Sequence, residues 1–226
     1  MYRYIPNFLT LCNAASGLAG ILFAMQKQPK MAVYCILAGF VFDVADGALA
    51  RWLKAYSAIG KELDSLADAI TFCALPSVLL YQMFCMYFSA VVAYGVAVVP
   101  FLAGIFRLAK FNIDTRQSHY FIGTPTPIFA CLVIGLEDYQ RNYDFAYNAL
   151  FLIIISLIAA WLMLWEKPFL SFKMQWKYAW QKQFSALVAV AFLLIFTFSP
   201  HFYWFVLAYV VYVLISLWLG SGVRKG

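Results

Sequence analysis

Residues 43–68 read DVADGALARWLKAYSAIGKELDSLAD, and long apolar runs lie on both sides of this stretch. It carries four aspartates, at Asp43, Asp46, Asp64 and Asp68. A charged side chain at the centre of a membrane-spanning helix costs roughly 2.5–3.5 kcal/mol on insertion scales. Four uncompensated carboxylates would therefore cost roughly 10–14 kcal/mol. We expect a bound divalent cation to compensate for this charge.

The composition of the chain is that of a polytopic membrane protein. Of its 226 residues, 65% are hydrophobic and 12% are charged, and the mean hydropathy is +0.81. Because a span needs about 20 apolar residues, the chain predicts an all-α, single-domain membrane bundle of about eight transmembrane helices over residues 1–226. The candidate spans lie near 5–25, 31–53, 58–83, 86–111, 122–140, 144–165, 184–199 and 201–220. An alternative is six spans followed by a re-entrant C-terminal pair, since only three residues separate the last two segments.

The basic residues predict the orientation of the bundle. With eight spans, one side of the membrane collects 13 of the 16 basic residues, and the other side receives Lys27, Lys30 and Arg141. Basic residues accumulate in short cytoplasmic loops. We therefore expect both termini in the cytoplasm and the protein in the cytoplasmic membrane. A nucleic-acid partner is not expected, because the positive charge is spread over short loops without a platform.

Helical spacing brings the aspartates of each pair onto one face of a helix. Asp43 and Asp46 are three residues apart, and Asp64 and Asp68 are four apart. Two antiparallel helices joined by a short turn can aim all four carboxylates at one point, near the cytoplasmic edge of the membrane. Oxygen ligands of this kind suit Mg²⁺ or Mn²⁺. We expect two such ions, because a metal pair can clamp a pyrophosphate.

Small residues and one arginine accompany the aspartates. Gly47 and Gly60 lack a side chain that would block the approach of a bulky ligand, although glycine in a membrane helix also serves helix packing. Ala50 is small on the same face as Gly47, and Arg51 offers a planar fork for a phosphate. We expect these four residues to accommodate a bulky ligand that carries phosphate.

The spacing D-x-x-D-G-x-x-A-R, eight residues, G-x-x-x-D-x-x-x-D resembles the signature of the CDP-alcohol phosphotransferase family, and every fixed position is present. The resemblance implies that an alcohol displaces CMP from CDP-diacylglycerol. It implies that Asp43, Asp46 and Asp64 mainly hold the metal pair, with Asp68 as a further ligand and the general base. It also implies a six-helix core over about 1–175, followed by a C-terminal helix pair near 184–220, and a homodimer.

Three other stretches resemble the phosphatidylserine synthase branch of that family. They are PNFLTLCN at 6–13, FRLAKFN at 106–112 and FIGTPTP at 121–127. The resemblance favours L-serine as the acceptor, with glycerol 3-phosphate or inositol as alternatives. Serine needs a cation for its carboxylate, and we expect Arg107, Lys110 and Asn112 to form its site. The resemblance also implies that a CDP-lipid is bound by Gly47, Ala50, Arg51, Gly60 and Asn13.

Some features leave other interpretations open. A divalent-cation transporter would also need an acidic cluster, but that function would not explain why Gly47, Ala50 and Arg51 accompany the aspartates.

Residues 166–183 alternate lysines with aromatic residues and predict an interfacial amphipathic helix. The final two helices carry no charge before Arg224 and predict a lipid-facing or dimer-packing surface. The small-residue run from Ala14 to Gly20 permits close helix packing within or between subunits.

Overall fold

A computed structural model of the chain describes residues 4–55, 57–113, 121–143, 149–166, 168–169 and 204–222. This part of the chain is helical, apart from one ladder of two short strands. The helices are α1 Ile5–Met25, α2 Pro29–Trp52, α3 Ala58–Asp68, a π-helical segment Ala69–Ala74, α4 Leu75–Cys85, α5 Ala90–Ile113, α6 Thr126–Asn142, α7 Ala149–Leu164 and α8 Trp204–Gly222. The strands are β1 Phe121–Ile122 and β2 Pro168–Phe169.

Four helical segments are long and apolar enough to cross a membrane. They are α1 with 21 residues, α2 with 24, the continuous segment Ala58–Cys85 with 28 and α5 with 24. At a rise of 1.5 Å per residue these helices are roughly 32–42 Å long, which exceeds the hydrocarbon thickness of about 30 Å. The expectation of a helical membrane bundle is confirmed, and the first four predicted spans coincide with these helices. The predicted span 184–199 lies outside the described residues.

Prolines and a residue with left-handed backbone conformation mark the ends of the helices that carry the site. Pro6 and Pro29 occupy the first turns of α1 and α2, where proline is favoured because its missing N–H is not needed. The turn between α2 and α3 contains Lys54 with a φ of 50°. The next helix begins at a cap, because the Ser57 hydroxyl accepts a hydrogen bond of 3.0 Å from the Gly60 N–H. The connection between the two acidic helices is therefore short, residues 53–57, as the sequence predicted.

Two predicted boundaries are wrong around the strand ladder. The fifth span was expected from residue 122, but Phe121 and Ile122 pair antiparallel with Phe169 and Pro168. A left-handed Gly123, with a φ of 75°, then turns the chain so that α6 begins at Thr126. The same ladder places residues 168–169 in a strand rather than in the predicted amphipathic helix. Of the rest of that predicted helix, residue 166 is not helical, and residues 167 and 170–183 lie outside the described residues.

The small residues of α1 pack within the chain. A Cβ added to Gly17 would collide with Thr71 of the π-helical segment, and one added to Gly20 would collide with Leu75 of α4. The hydroxyl of Ser16 also donates a hydrogen bond of 2.8 Å to the carbonyl of Cys35 on α2. At these positions the small-residue run therefore serves helix packing inside one subunit, which the sequence had left open.

The C-terminal helix is not simply lipid-facing. Phe205, Tyr209, Tyr212 and Ser216 recur at helical spacing along α8, and each is 7% exposed or less. Leucine and valine side chains on the other faces of the helix, such as Leu214, are exposed. Helix α8 packs against α6 and β2. The expectation of a lipid-facing or dimer-packing helix is therefore wrong for this face. The sequence did not reveal the buried face, because tyrosine occurs both in protein cores and at membrane interfaces.

Candidate active site

Three of the four predicted aspartates meet at one point. Asp43 from α2 and Asp64 and Asp68 from α3 each offer a carboxylate oxygen, and these atoms lie within 4.8 Å of one another. All three residues are half-buried. Three convergent carboxylates offer the hard oxygen donors that Mg²⁺ and Mn²⁺ prefer. The donor set therefore fits a divalent ion of this class.

Asp46 is held apart from that three-residue group. It is 6% exposed, and the Thr10 hydroxyl of α1 donates to its Oδ2 at 2.5 Å. The same hydroxyl is 3.0 Å from the carbonyl of Pro6, one turn earlier in α1. The first transmembrane helix thus fixes the orientation of an acidic side chain on the second.

Asn13 lies beside the carboxylates, one turn after Thr10 in α1. Its Nδ2 donates to Asp68 Oδ1 at 3.4 Å, and its backbone carbonyl accepts a 2.9 Å hydrogen bond from the Thr71 hydroxyl. The residue is fully buried. Its Oδ1 has no hydrogen-bond partner among the residues that the structure describes. Asn13 therefore forms part of the wall next to the predicted base.

The π-helical segment begins immediately after Asp68 and carries the contacts that fix this wall. A Cβ added to Gly39 of α2 would collide with Thr71 and would lie 2.9 Å from Asn13 Oδ1. Gly17 of α1 meets Thr71 equally closely. Single π-helical turns are frequent at functional sites. Close approach of three helices at Thr71 thus fixes the helix turn that follows Asp68.

Gly47 and Gly60 have different surroundings. A Cβ added to Gly47 would meet only Arg51 Nη1, at 3.5 Å, which is an ordinary contact. A Cβ added to Gly60 would lie 2.9 Å from Ser57 Oγ and 3.0 Å from Asn7 Oδ1. A side chain at position 60 would therefore have to displace two polar side chains at the start of α3. Helix packing in the described structure does not require Gly47.

Arg51 and Ala50 follow Gly47 at the C-terminal end of α2. Arg51 is exposed and Ala50 is half-buried. Because the Arg51 guanidinium lies close to Gly47, the cation and the open backbone form one continuous surface. A phosphate group needs such a combination of a planar cation and room for close approach.

The two cations predicted to bind the acceptor alcohol have different surroundings. Arg107 of α5 is 7% exposed and lies within electrostatic range of Asp68. Lys110 instead forms an ion pair with Glu166, just after α7. The structure therefore places Arg107 within electrostatic range of the acidic group and pairs Lys110 with a different carboxylate.

Asn112 joins the C-terminal end of α5 to α3 through hydrogen bonds. Its Oδ1 accepts a 3.0 Å hydrogen bond from Ser65, and its Nδ2 donates to Glu62 at 3.1 Å. Its backbone carbonyl accepts a 2.7 Å hydrogen bond from Lys61. These contacts fix α5 against the helix that carries Asp64. The residue thus supports the geometry of the acidic site from its edge.

Sequence reasoning missed Thr10 and Thr71 as partners of the site. A signal for the first was present, because Thr10, Asn13 and Gly17 recur at intervals of three and four residues in an apolar helix. That spacing indicates a polar, small-residue face directed at a partner helix. No comparable pattern marked Thr71, whose role depends on the π-helical turn.

Comparison with known proteins agrees with this geometry. Residues 3–180 match the family model described as CDP-alcohol phosphatidyltransferase. A protein of Bacillus subtilis (strain 168) is 36% identical over 172 residues, covering 76% of this chain and 92% of its own. One of Helicobacter pylori (strain ATCC 700392 / 26695) is 33% identical over 196 residues, covering 84% and 81%.

A third relative, from Mycobacterium leprae (strain TN), is 40% identical over 145 residues, covering 59% of this chain and 46% of its own. The chain thus spans about half the length of that relative and most of the length of the other two. All three relatives are named CDP-diacylglycerol–serine O-phosphatidyltransferase. The extent of the family match, together with the convergent carboxylates of the eight-position motif, shows that the chain belongs to the CDP-alcohol phosphatidyltransferase family.

Proposed function

We propose that the protein transfers the phosphatidyl group of CDP-diacylglycerol to the hydroxyl of L-serine, giving phosphatidylserine and CMP in phospholipid biosynthesis. The observation that carries this proposal is the convergence of Asp43, Asp64 and Asp68 within 4.8 Å, on a motif of fixed spacing. The names of the relatives support serine as the acceptor.

Asp43, Asp64 and Asp68 are the residues that would hold Mg²⁺ or Mn²⁺, with Asp46 as the fourth ligand of a two-ion site. Bound ions of this type neutralise charge on a pyrophosphate and on its leaving phosphate. Asp46 is oriented for this role by Thr10. A hydrogen bond to a carboxylate oxygen restricts the rotation of the carboxylate.

Asp68 serves as the general base in this proposal. The serine hydroxyl gives its proton to the carboxylate while its oxygen forms a bond to the phosphorus that carries diacylglycerol. The bond from that phosphorus to the CMP oxygen breaks, and CMP leaves. Asn13, 3.4 Å from Asp68 Oδ1, helps to fix the direction in which the base accepts the proton.

The CDP-lipid is placed by the surface that Gly47, Ala50 and Arg51 form at the end of α2. The open backbone at Gly47 admits the pyrophosphate, and the exposed Arg51 supplies its cation. Gly60 contributes by allowing the tight start of α3. Asn13 lines the same site from α1.

Arg107 is proposed as the partner of the serine carboxylate. Support comes from its burial and from its electrostatic range to Asp68, because serine must present its hydroxyl to the base and its carboxylate to a cation close by. Lys110 and Asn112 act at the rim of this site, where their described contacts are to Glu166 and to α3.

The bundle is proposed to cross the cytoplasmic membrane eight times, with both termini and the active site facing the cytoplasm, and to form a homodimer. The distribution of the basic residues supports the orientation. Asp43 lies nine residues before the end of α2 and Asp68 ten residues after the start of α3, more than two helical turns in each case. This depth supports a site that receives a lipid headgroup from the membrane and serine from the cytosol.

One experiment tests donor, acceptor and cofactor together. Purified protein is incubated with CDP-diacylglycerol and labelled serine, with and without Mg²⁺ or Mn²⁺. We expect labelled phosphatidylserine and equimolar CMP only when a divalent ion is present. Parallel reactions with glycerol 3-phosphate and inositol identify the acceptor. Release of CMP with one of these alcohols and none with serine would overturn the proposed function.

A further inference from the structure

Two contacts hold the C-terminal half of α5 against the span that carries Asp64 and Asp68. Asn112 Oδ1 accepts a 3.0 Å hydrogen bond from the Ser65 hydroxyl, and Asn112 Nδ2 donates to Glu62 at 3.1 Å. Two turns earlier in α5, a Cβ added to Gly104 would lie 2.6 Å from Cys73 Sγ. The first contact is polar and directional, and the second is close packing of a helix backbone on a side chain.

The two contacts have the same spacing on both helices. Ser65 and Cys73 are eight residues apart, and so are Gly104 and Asn112. The order along the chain is reversed, since Ser65 meets Asn112 and Cys73 meets Gly104. The two helices are therefore antiparallel and keep one register between the two contacts.

This register places Arg107 and Asp68 at nearly the same height along the paired helices. Asp68 lies five residues before Cys73, and Arg107 lies three residues after Gly104. At a rise of about 1.5 Å per residue, their heights differ by roughly 3 Å. Arg107 is 7% exposed, so its side chain stays within the bundle. The contacts on either side of these two residues thus fix the height of a buried cation relative to a carboxylate.

We propose that Ser65 and Asn112 are positioning residues that hold Arg107 at the height of Asp68, and that this height selects an acceptor whose hydroxyl and carboxylate are close together. The inference rests on the proposed function, in which Asp68 takes the hydroxyl proton and Arg107 binds the carboxylate. Serine meets this requirement, whereas homoserine separates the two groups by one further CH₂. A shift of α5 along α3 would change the fit of the acceptor more than that of the CDP-lipid, whose proposed surface is at the end of α2.

The test compares steady-state kinetics of Ser65→Ala and Asn112→Ala with the unchanged full-length protein, in the same detergent or vesicles, with serine and with homoserine. Loss of the hydrogen bond in Ser65→Ala should raise the KM for serine roughly 2- to 10-fold. The ratio of kcat/KM for serine to kcat/KM for homoserine should fall about threefold or more in both variants. The KM for CDP-diacylglycerol should stay within about twofold of the unchanged protein.

Two controls separate positioning from a general loss of stability. Ser16→Ala makes the same substitution and removes a 2.8 Å hydrogen bond between α1 and α2, so the ratio of serine to homoserine should not change. Ser65→Thr retains a hydroxyl and should also keep the ratio. An equal fall of the ratio in Ser16→Ala would overturn the inference.

A double variant tests whether the two residues act through their shared hydrogen bond. In that case Ser65→Ala combined with Asn112→Ala should have the serine KM and the ratio of Asn112→Ala alone. Multiplied effects in the double variant, or an unchanged ratio in both single variants, would overturn the inference and leave the proposed function intact. An unchanged protein that makes no phosphatidylserine would overturn the proposed function and this inference with it.

Discussion

Replacement of Thr10 by valine should weaken metal binding, because the Thr10 hydroxyl orients Asp46. The substitution keeps the branched shape of the side chain and removes the hydroxyl that donates to Asp46 Oδ2 at 2.5 Å. A hydrogen bond to a charged group contributes roughly 1.5–3 kcal/mol. If that energy is used to hold Asp46 ready for metal, the half-saturating Mg²⁺ concentration rises about 10- to 100-fold.

The assay for Thr10→Val is turnover of CDP-diacylglycerol and serine as a function of Mg²⁺ or Mn²⁺ concentration. Activity should recover at high metal concentration, since the ligands themselves remain. Thr10→Ser retains the hydroxyl and should follow the metal dependence of the unchanged protein. Ser16→Ala provides a matched control, because it removes a 2.8 Å hydrogen bond between the same two helices, to Cys35, outside the acidic group. Equal metal dependence in Thr10→Val and the unchanged protein would refute the assignment of Asp46 as an oriented ligand.

Four further outcomes are expected in and around the site. Asp68→Asn should reduce kcat by about 10²- to 10⁴-fold, the usual contribution of a general base. Full turnover of labelled serine in this variant would show that Asp68 is not the general base. Asp64→Ala should abolish activation by Mg²⁺ and the thermal stabilisation that Mg²⁺ gives, whereas retention of both would exclude it as a ligand. Gly47→Ala has room for its methyl group and should raise the KM for CDP-diacylglycerol with an unchanged melting temperature. The methyl group of Gly39→Ala would collide with Thr71, so this variant should instead destabilise the fold by about 1–3 kcal/mol. Thermal unfolding of both variants distinguishes a glycine needed for ligand approach, Gly47, from one needed for helix packing, Gly39.

Much of the bundle and of the acidic site follows from local sequence properties. Apolar runs of sufficient length predicted the spans, and spacings of three and four residues predicted which carboxylates share a helix face. The convergence of Asp43 with Asp64 and Asp68 was predictable because the turn between the two helices is short. The separate position of Asp46 was not, because it depends on a hydrogen bond from Thr10 on a third helix.

Other features depend on tertiary contacts that no local pattern encodes. Residues 168–169 form a strand because their backbone meets residues 121–122 from a distant part of the chain. The two glycines of the motif look alike in sequence, yet Gly60 is crowded by Ser57 and Asn7 while Gly47 is open. The distinction between them lies in neighbouring elements, not in the residue type.

The π-helical segment Ala69–Ala74 uncouples the two ends of the third span. In an uninterrupted α-helix each residue advances about 100°, so the direction of Asp68 would fix the direction of every side chain beyond it. The wider π turn changes the angle between the side chains before it and those after it. Leu79, Leu80 and Phe84 are therefore buried in the core on a face that need not be the face of the carboxylates. The third span thus directs its carboxylates and its buried apolar side chains at a relative angle that an uninterrupted α-helix would not give.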